Sequence, residues 1–196
     1  MTTEALPRPG EPTRAALGNP VLRYVMATRP PFLSVTFVGV LIGWAGAFHD
    51  GAAVAWLPAA LTMIFALVAH AGANVINDYY DSLNGCDAAN TERLFPFTGG
   101  SRFIQNGVLS PREVKAFGYA LLVAVIPAGL WLTLHSAPGL ILIGAAGLAA
   151  GWAYSAPPFK LQAHGVGEFG ITAAWAIIVI GADYVARGAF AFRPVA

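Results

Sequence analysis

Asn74-Val75-Ile76-Asn77-Asp78-Tyr79-Tyr80-Asp81, followed by Asn84, Gly85 and Asp87, is the stretch on which the fold turns. It closes an apolar run that begins near Val54. From Asn74, steps of three, four and seven residues reach Asn77, Asp78 and Asp81, so all four share one helix face. His70 lies one turn earlier on the same side. Carboxylates and amides at the end of a hydrophobic helix are costly without partners, and ionisable groups at membrane depth mark functional sites. Asp87 adds a third carboxylate from the loop beyond. Clustered carboxylates with few basic residues close by in sequence suit a hard, oxygen-seeking cation such as Mg2+.

Composition decides the solvent. The 196 residues are 57% hydrophobic and 11% charged, against about 25% charged in an ordinary soluble domain. That deficit points to an all-α, polytopic transmembrane helical bundle in the lipid bilayer. A net charge of +1 gives no electrostatic case for nucleic acid. Cys86 is the only cysteine, so no intramolecular disulfide forms.

Five spans are expected, near 32–48, 53–76, 114–134, 138–154 and 169–186, each close to the roughly 17–25 residues that a bilayer helix needs. Residues 1–20, with Pro7, Pro9, Pro12 and Pro20, read as a disordered tail ahead of a membrane domain over 21–196. A short interfacial helix fits 21–29, and Pro30 and Pro31 open the first span. Gly144, Gly147 and Gly151 in the fourth span permit close helix contact. Arg8, Arg14, Arg23, Arg29, Arg93, Arg102, Arg112, Lys115 and Lys160 fall on one side, with Arg187 and Arg193 on the other. The positive-inside rule then puts the N-terminus and both long loops in the cytoplasm of a cell (inner) membrane.

The first long loop holds Thr98-Gly99-Gly100-Ser101-Arg102, where backbone N–H groups can turn toward an anion; a simple turn is the alternative. Ser110-Pro111-Arg112-Glu113 has the form of a helix start. In the second long loop, Pro157 and Pro158 stop the fourth span and are expected to hold Tyr154 and Lys160 in a stiff extended segment.

The Asn77-to-Asp87 run resembles the first Asp-rich motif of the UbiA superfamily of intramembrane prenyltransferases. Its spacing is most similar to the branch that prenylates 1,4-dihydroxy-2-naphthoate in menaquinone synthesis. Arg29-Pro30, Thr98-Gly99-Gly100-Ser101-Arg102, Tyr154-Ser155-Ala156-Pro157-Pro158-Phe159-Lys160 and Gly165-Val166-Gly167-Glu168 resemble further family signatures, in family order. The resemblance implies part of a nine-helix fold and Mg2+-dependent transfer from a polyprenyl diphosphate to an aromatic acceptor in quinone biosynthesis. It makes Asn77, Asp78, Asp81 and Asp87 the metal ligands, with the three acids catalytic. It makes Asn74, Asn77, Arg102, Tyr154, Lys160 and Arg29 substrate-binding residues. The family's second Asp-rich motif has no counterpart here, so the expectation is an N-terminal part, inactive alone and missing a C-terminal half. Read from the residues without the resemblance, the polar face also suits an ion- or proton-coupled transporter, or a non-catalytic membrane subunit.

Overall fold

The computed structural model describes residues 7–136 and 138–191, and among them every regular element is helical. In order these are α1 (Pro20–Ala27), α2 (Pro30–His49), α3 (Trp56–Asn84), α4 (Cys86–Ala89), α5 (Pro111–His135), α6 (Leu140–Ala153), a 3-10 turn at Leu161–His164, and α7 (Gly167–Arg187). Four of them, α2, α3, α5 and α7, are long and apolar enough to cross a membrane. The fourth expected span differs: α6 has 14 residues, about 21 Å of helix against a hydrocarbon core of about 30 Å.

Helix ends follow local chemistry. Asn19 caps α1 by accepting from the Val21 amide at 2.9 Å, and Pro20 sits in the first turn. Ser110 and Glu113 form a reciprocal capping box at α5. The helix continues past the apolar span expected to end near residue 76, as the shared face of Asn74, Asn77, Asp78 and Asp81 requires. Nothing from Asn77 to Asn84 breaks a helix, so α3 runs on until Gly85, at φ +76, supplies the left-handed turn. The polar face therefore stays helical.

Helices meet where side chains are small. Gly43 on α2 packs so closely on α7 that an added Cβ would stand 2.5 Å from the Val179 carbonyl oxygen. Gly118 on α5 seats Ile76, and Gly151 on α6 faces Ala73. Gly144 departs from expectation: it touches no neighbouring helix and lines a cavity instead.

The bundle has two polar ends. At one, Arg29 before α2 pairs with Asp78 near the end of α3. At the other, Arg187 at the end of α7 pairs with Asp50 just past α2. Residues 7–19 depart from the expected disordered tail and lie against the first long loop. Glu11 forms a buried ion pair with Arg93 at 2.6 Å, and Asn106 donates to the Glu11 carboxylate at 3.2 Å. Leu17 packs on the cluster of Ala27, Val75, Phe103, Val108, Leu109 and Val114. A buried charge pair joined to an apolar contact supplies what polar, proline-rich composition alone did not announce. The first six residues of the expected tail, and Arg193, lie outside the described residues.

Candidate functional site

The three carboxylates of the sequence motif are all buried: Asp78 is 4% exposed, Asp81 5% and Asp87 4%. A buried carboxylate persists only with partners, and each of the three has its own. Asp78 accepts from the Arg29 guanidinium and from the Ser101 backbone N–H at 3.1 Å. Asp81 accepts from the Gln162 amide, from Asn77 at 2.9 Å and from Asn84 at 3.3 Å. Asp87, on α4, accepts from Gln105 at 3.3 Å. Burial, then the charges of Asp78 and Asp81, push the Asp87 carboxyl up to about 6.

The Gly-Gly turn faces an anion, and that anion is the protein's own. Gly99 and Gly100 have φ of +81 and +72, which lets the loop fold inward and aim the Ser101 N–H at Asp78. Gly100 lies between two carboxylates. A Cβ there would collide with an Asp87 oxygen and stand 3.0 Å from an Asp78 oxygen. Two acids from separate elements thus converge on one glycine.

The three expected cationic site residues are also the three non-glycine residues with left-handed backbone among those described: Arg29 at φ 57, Arg102 at 64 and Lys160 at 44. Such conformations cost about 1–3 kcal/mol and persist where the surroundings fix them. Their roles diverge. Arg29 reaches Asn77 at 3.3 Å as well as Asp78, and lines a cavity. Arg102 is turned inward, 3% exposed, and donates to the Asp87 backbone carbonyl at 2.5 Å. It holds the loop that carries Asp87 and does not face the cavity. Lys160 is half-buried, and its carbonyl caps the 3-10 turn by accepting from Ala163 at 2.8 Å. The expected extended segment around it is instead a series of tight turns, in which the Lys160 N–H donates to the Ala156 carbonyl at 3.0 Å and the Pro157–Pro158 bond is cis.

A cavity of about 360 Å³ opens beside this cluster. Its polar lining is Arg29, His70, Asn74, Asn77 and Tyr154; the rest is apolar, including Phe32, Leu148 and Trp175. Asn74 uses its amide to donate to the Thr28 carbonyl at 3.0 Å, tying α3 to the turn that presents Arg29. A second, almost wholly apolar cavity of about 320 Å³ shares Ala66, Ala69, Gly147, Leu148 and Ile178 with the first. One end of the pair is thus charged and the other is greasy. Phe97, an aromatic of the loop, points away and is 76% exposed.

Hard oxygen donors are what a small divalent cation takes, and Asp78, Asp87 and the Asn77 amide offer them within one buried polar cluster. The convergence of Asp78 and Asp87 on Gly100 fits such an ion. Among the described residues, however, no three His, Cys, Asp or Glu side chains already form a ready-made metal site. Asp81 accounts for this, because Gln162 and Asn77 hold it.

Several of these residues carried no signal in sequence. Gln162 and Ser155, both within hydrogen-bonding distance of Asn77 at 3.1 and 2.8 Å, come from the loop after α6. Gly100 stands in a loop that sequence reads as able to face an anion, but its place between Asp78 and Asp87 is not legible there. Thr36, one of two hydroxyls in the first span with Ser34, is the partner of His70.

Comparison with known proteins agrees with this picture. Residues 32–196 match the UbiA prenyltransferase family. A 1,4-dihydroxy-2-naphthoate octaprenyltransferase of Mycobacterium leprae is 29% identical over 83% of this chain and 53% of its own length. Its counterpart in Mycobacterium tuberculosis is 31% identical over the same shares. The Bacillus subtilis protein of that name is 29% identical over 72% of this chain and 43% of its own. The chain spans about half the length of these curated relatives. No solved structure matches it.

Proposed function

The chain belongs to the UbiA prenyltransferase family, and from that premise we propose that it binds a polyprenyl diphosphate for transfer of the prenyl group to an aromatic acceptor, in the manner of 1,4-dihydroxy-2-naphthoate prenylation. The observation that carries this reading is the pairing of a charged pole with an apolar cavity. The cavity end lined by Arg29 and Asn77 suits the diphosphate head, and the adjoining apolar cavity suits the isoprenoid tail.

Asp78, Asp81, Asp87 and Asn77 are the residues proposed to hold Mg2+ with the diphosphate. A bound Mg2+ supplies charge neutralisation to the departing diphosphate. Arg29 adds a cationic, hydrogen-bonding contact to the same oxygens. Arg102 acts by keeping Asp87 in place. C–O ionisation leaves an allylic cation, and the cavity must exclude water from it. Tyr154, Phe32 and Trp175 line that cavity and offer aromatic faces to a cation. The electron-rich ring of the acceptor then attacks; with a dihydroxynaphthoate, its carboxylate leaves as CO2.

This reading also implies that the 196 residues alone bind the diphosphate but do not turn it over. One acid cluster must neutralise roughly three charges on a diphosphate, and stabilising its departure demands more. The test uses the chain in detergent with geranyl diphosphate, with and without Mg2+, and a panel of hydroxynaphthoates. Mg2+-dependent binding without product is expected. Absence of any Mg2+-dependent binding overturns the function; product above an Asp78→Ala control overturns the claim of inactivity.

The proposed orientation places the site end in the cytoplasm. Cys86 is exposed at that end. An impermeant thiol reagent should label it in inside-out vesicles and not in intact cells; labelling from outside inverts the orientation.

A further inference from the structure

His70 is the one cavity-lining polar residue that the scheme above leaves without a task. Its Nδ1 stands 2.8 Å from Thr36 Oγ1 on α2. Thr36 is fully buried, at 0% exposure. Other threonines in these helices use their hydroxyls differently: Thr62 and Thr133 each donate to a carbonyl four residues back, both at 2.8 Å. Thr36 instead sets its hydroxyl against the imidazole.

That choice sets the tautomer. A buried hydroxyl proton left without an acceptor costs about 1–3 kcal/mol. The arrangement that satisfies Thr36 has its O–H donating to a bare Nδ1. A neutral imidazole carries its single proton on the other nitrogen, so Nε2 becomes an N–H donor. Nε2 is not among the buried, unpartnered side-chain atoms of the described residues, as befits an atom open to the cavity. The lining along α3 on either side of it mixes small apolar residues, Ala66, Ala69 and Ala73, with Asn74 one turn on. A donor fixed in a cavity discriminates, because a ligand that cannot accept from it leaves it unsatisfied.

We propose that His70, positioned by Thr36, is a specificity-determining donor that hydrogen-bonds an oxygen borne by the aromatic acceptor. The ligand class is a fused aromatic ring carrying a hydroxyl or carboxylate, and plain aromatic hydrocarbons are discriminated against. This rests on the reading that the cavity receives an aromatic acceptor, and adds which residue recognises it and through which atom.

The test is binding of 1-hydroxy-2-naphthoate, which mimics such an acceptor, to the full chain in detergent, followed by fluorescence. His70→Ala should weaken binding about tenfold, while His70→Gln, which restores an N–H donor, should stay within about threefold of the parent. Thr36→Val should fall between them. None of the three should change binding of 1-methylnaphthalene. Equal binding of 1-hydroxy-2-naphthoate by His70→Ala and the parent overturns this inference and leaves the proposed function standing. A parent chain that binds Mg2+ and geranyl diphosphate but no 1-hydroxy-2-naphthoate overturns the acceptor reading, and this inference with it. Nitrogen-15 NMR of histidine-labelled chain, with the His70 signals assigned by their loss in His70→Gln, gives a readout independent of any ligand. A bare Nδ1 with a protonated Nε2 supports the donor assignment; the opposite tautomer overturns it.

Discussion

The two ends of the bundle both bury aspartate against arginine, and they do so to opposite effect. At the far end Arg187 Nε meets both oxygens of Asp183, at 2.7 and 2.8 Å, while its Nη1 meets Asp50 at 2.7 Å. Tyr184, next in sequence, donates nothing to that cluster, and instead its hydroxyl accepts from the Gly139 N–H at 3.1 Å. The charges there are drawn onto one another, although Arg187 Nη2 is buried without a partner, and neither cavity is lined by Asp50, Asp183 or Arg187. At the site end three buried acids share Arg29, a backbone N–H and amides, beside an open cavity. A closed ion cluster fastens helices; an open, acid-rich one is able to receive a cation and a ligand. Burial of charge alone therefore does not identify function. What separates the two ends is whether the charged cluster opens on a cavity, as Arg29 and Asn77 do.

The sharpest contrast is in stability. Asp183→Ala removes both contacts of Arg187 Nε and leaves Asp50 alone to meet the cation, where complete loss of a buried pair costs about 3–5 kcal/mol. The chain should unfold far more readily in detergent, and the surviving folded fraction should bind diphosphate normally. A loss of ligand affinity in that folded fraction would break the distinction between the two ends.

Glu11 gives a smaller, pH-dependent effect at the site end. Burial pushes its carboxyl up, but hydrogen bonds from Arg93, the Arg8 backbone and Asn106 outweigh that and bring it down to about 2. A depressed carboxylate contributes stability that is present above its unfolded value, near 4.5, and is lost as pH falls toward 2. Glu11→Gln should cost about 2 kcal/mol at neutral pH, and should remove this acid-sensitive part of the unfolding curve. An unchanged acid profile in the variant would show that the clasp on Arg93 contributes nothing.

The smallest contrast uses two glycines with the same backbone. Gly100 and Gly188 both have φ +72, but nothing lies within 4 Å of a Cβ at Gly188. Gly188→Ala should cost only the left-handed backbone penalty, about 1 kcal/mol, with no effect on ligand. Gly100→Ala carries the same penalty and also drives a methyl group into Asp87, so diphosphate binding should weaken. Equal effects of the two on binding would mean that the acids do not act through their convergence on Gly100.

Much of this was legible in sequence because the relevant physics is local. Apolar runs gave the helices, Ser110 and Glu113 gave a helix start, and the spacing of Asn74, Asn77, Asp78 and Asp81 gave the polar face. What sequence did not yield depends on tertiary partners. The partners of the polar face, Arg29, Gln162 and Ser155, arrive at Asn77 from distant segments. Arg102 is expected to meet substrate, and only the folded loop reveals that its Nη1 donates to the Asp87 carbonyl. Glu11 looked like part of a tail because its partner lies 82 residues away. Gly144 read as a packing glycine, although no neighbouring helix reaches it.

The central claim is that the acids of the site end, unlike those of the far end, receive Mg2+ with a diphosphate. Its most direct test is geranyl diphosphate binding titrated against Mg2+, for the parent chain, Asp78→Asn and Asp183→Asn in parallel. Asn keeps the size of the side chain and removes its charge. The account predicts that Mg2+ strengthens binding in the parent and in folded Asp183→Asn, and that this enhancement disappears in Asp78→Asn. An equal Mg2+ response in all three would contradict it.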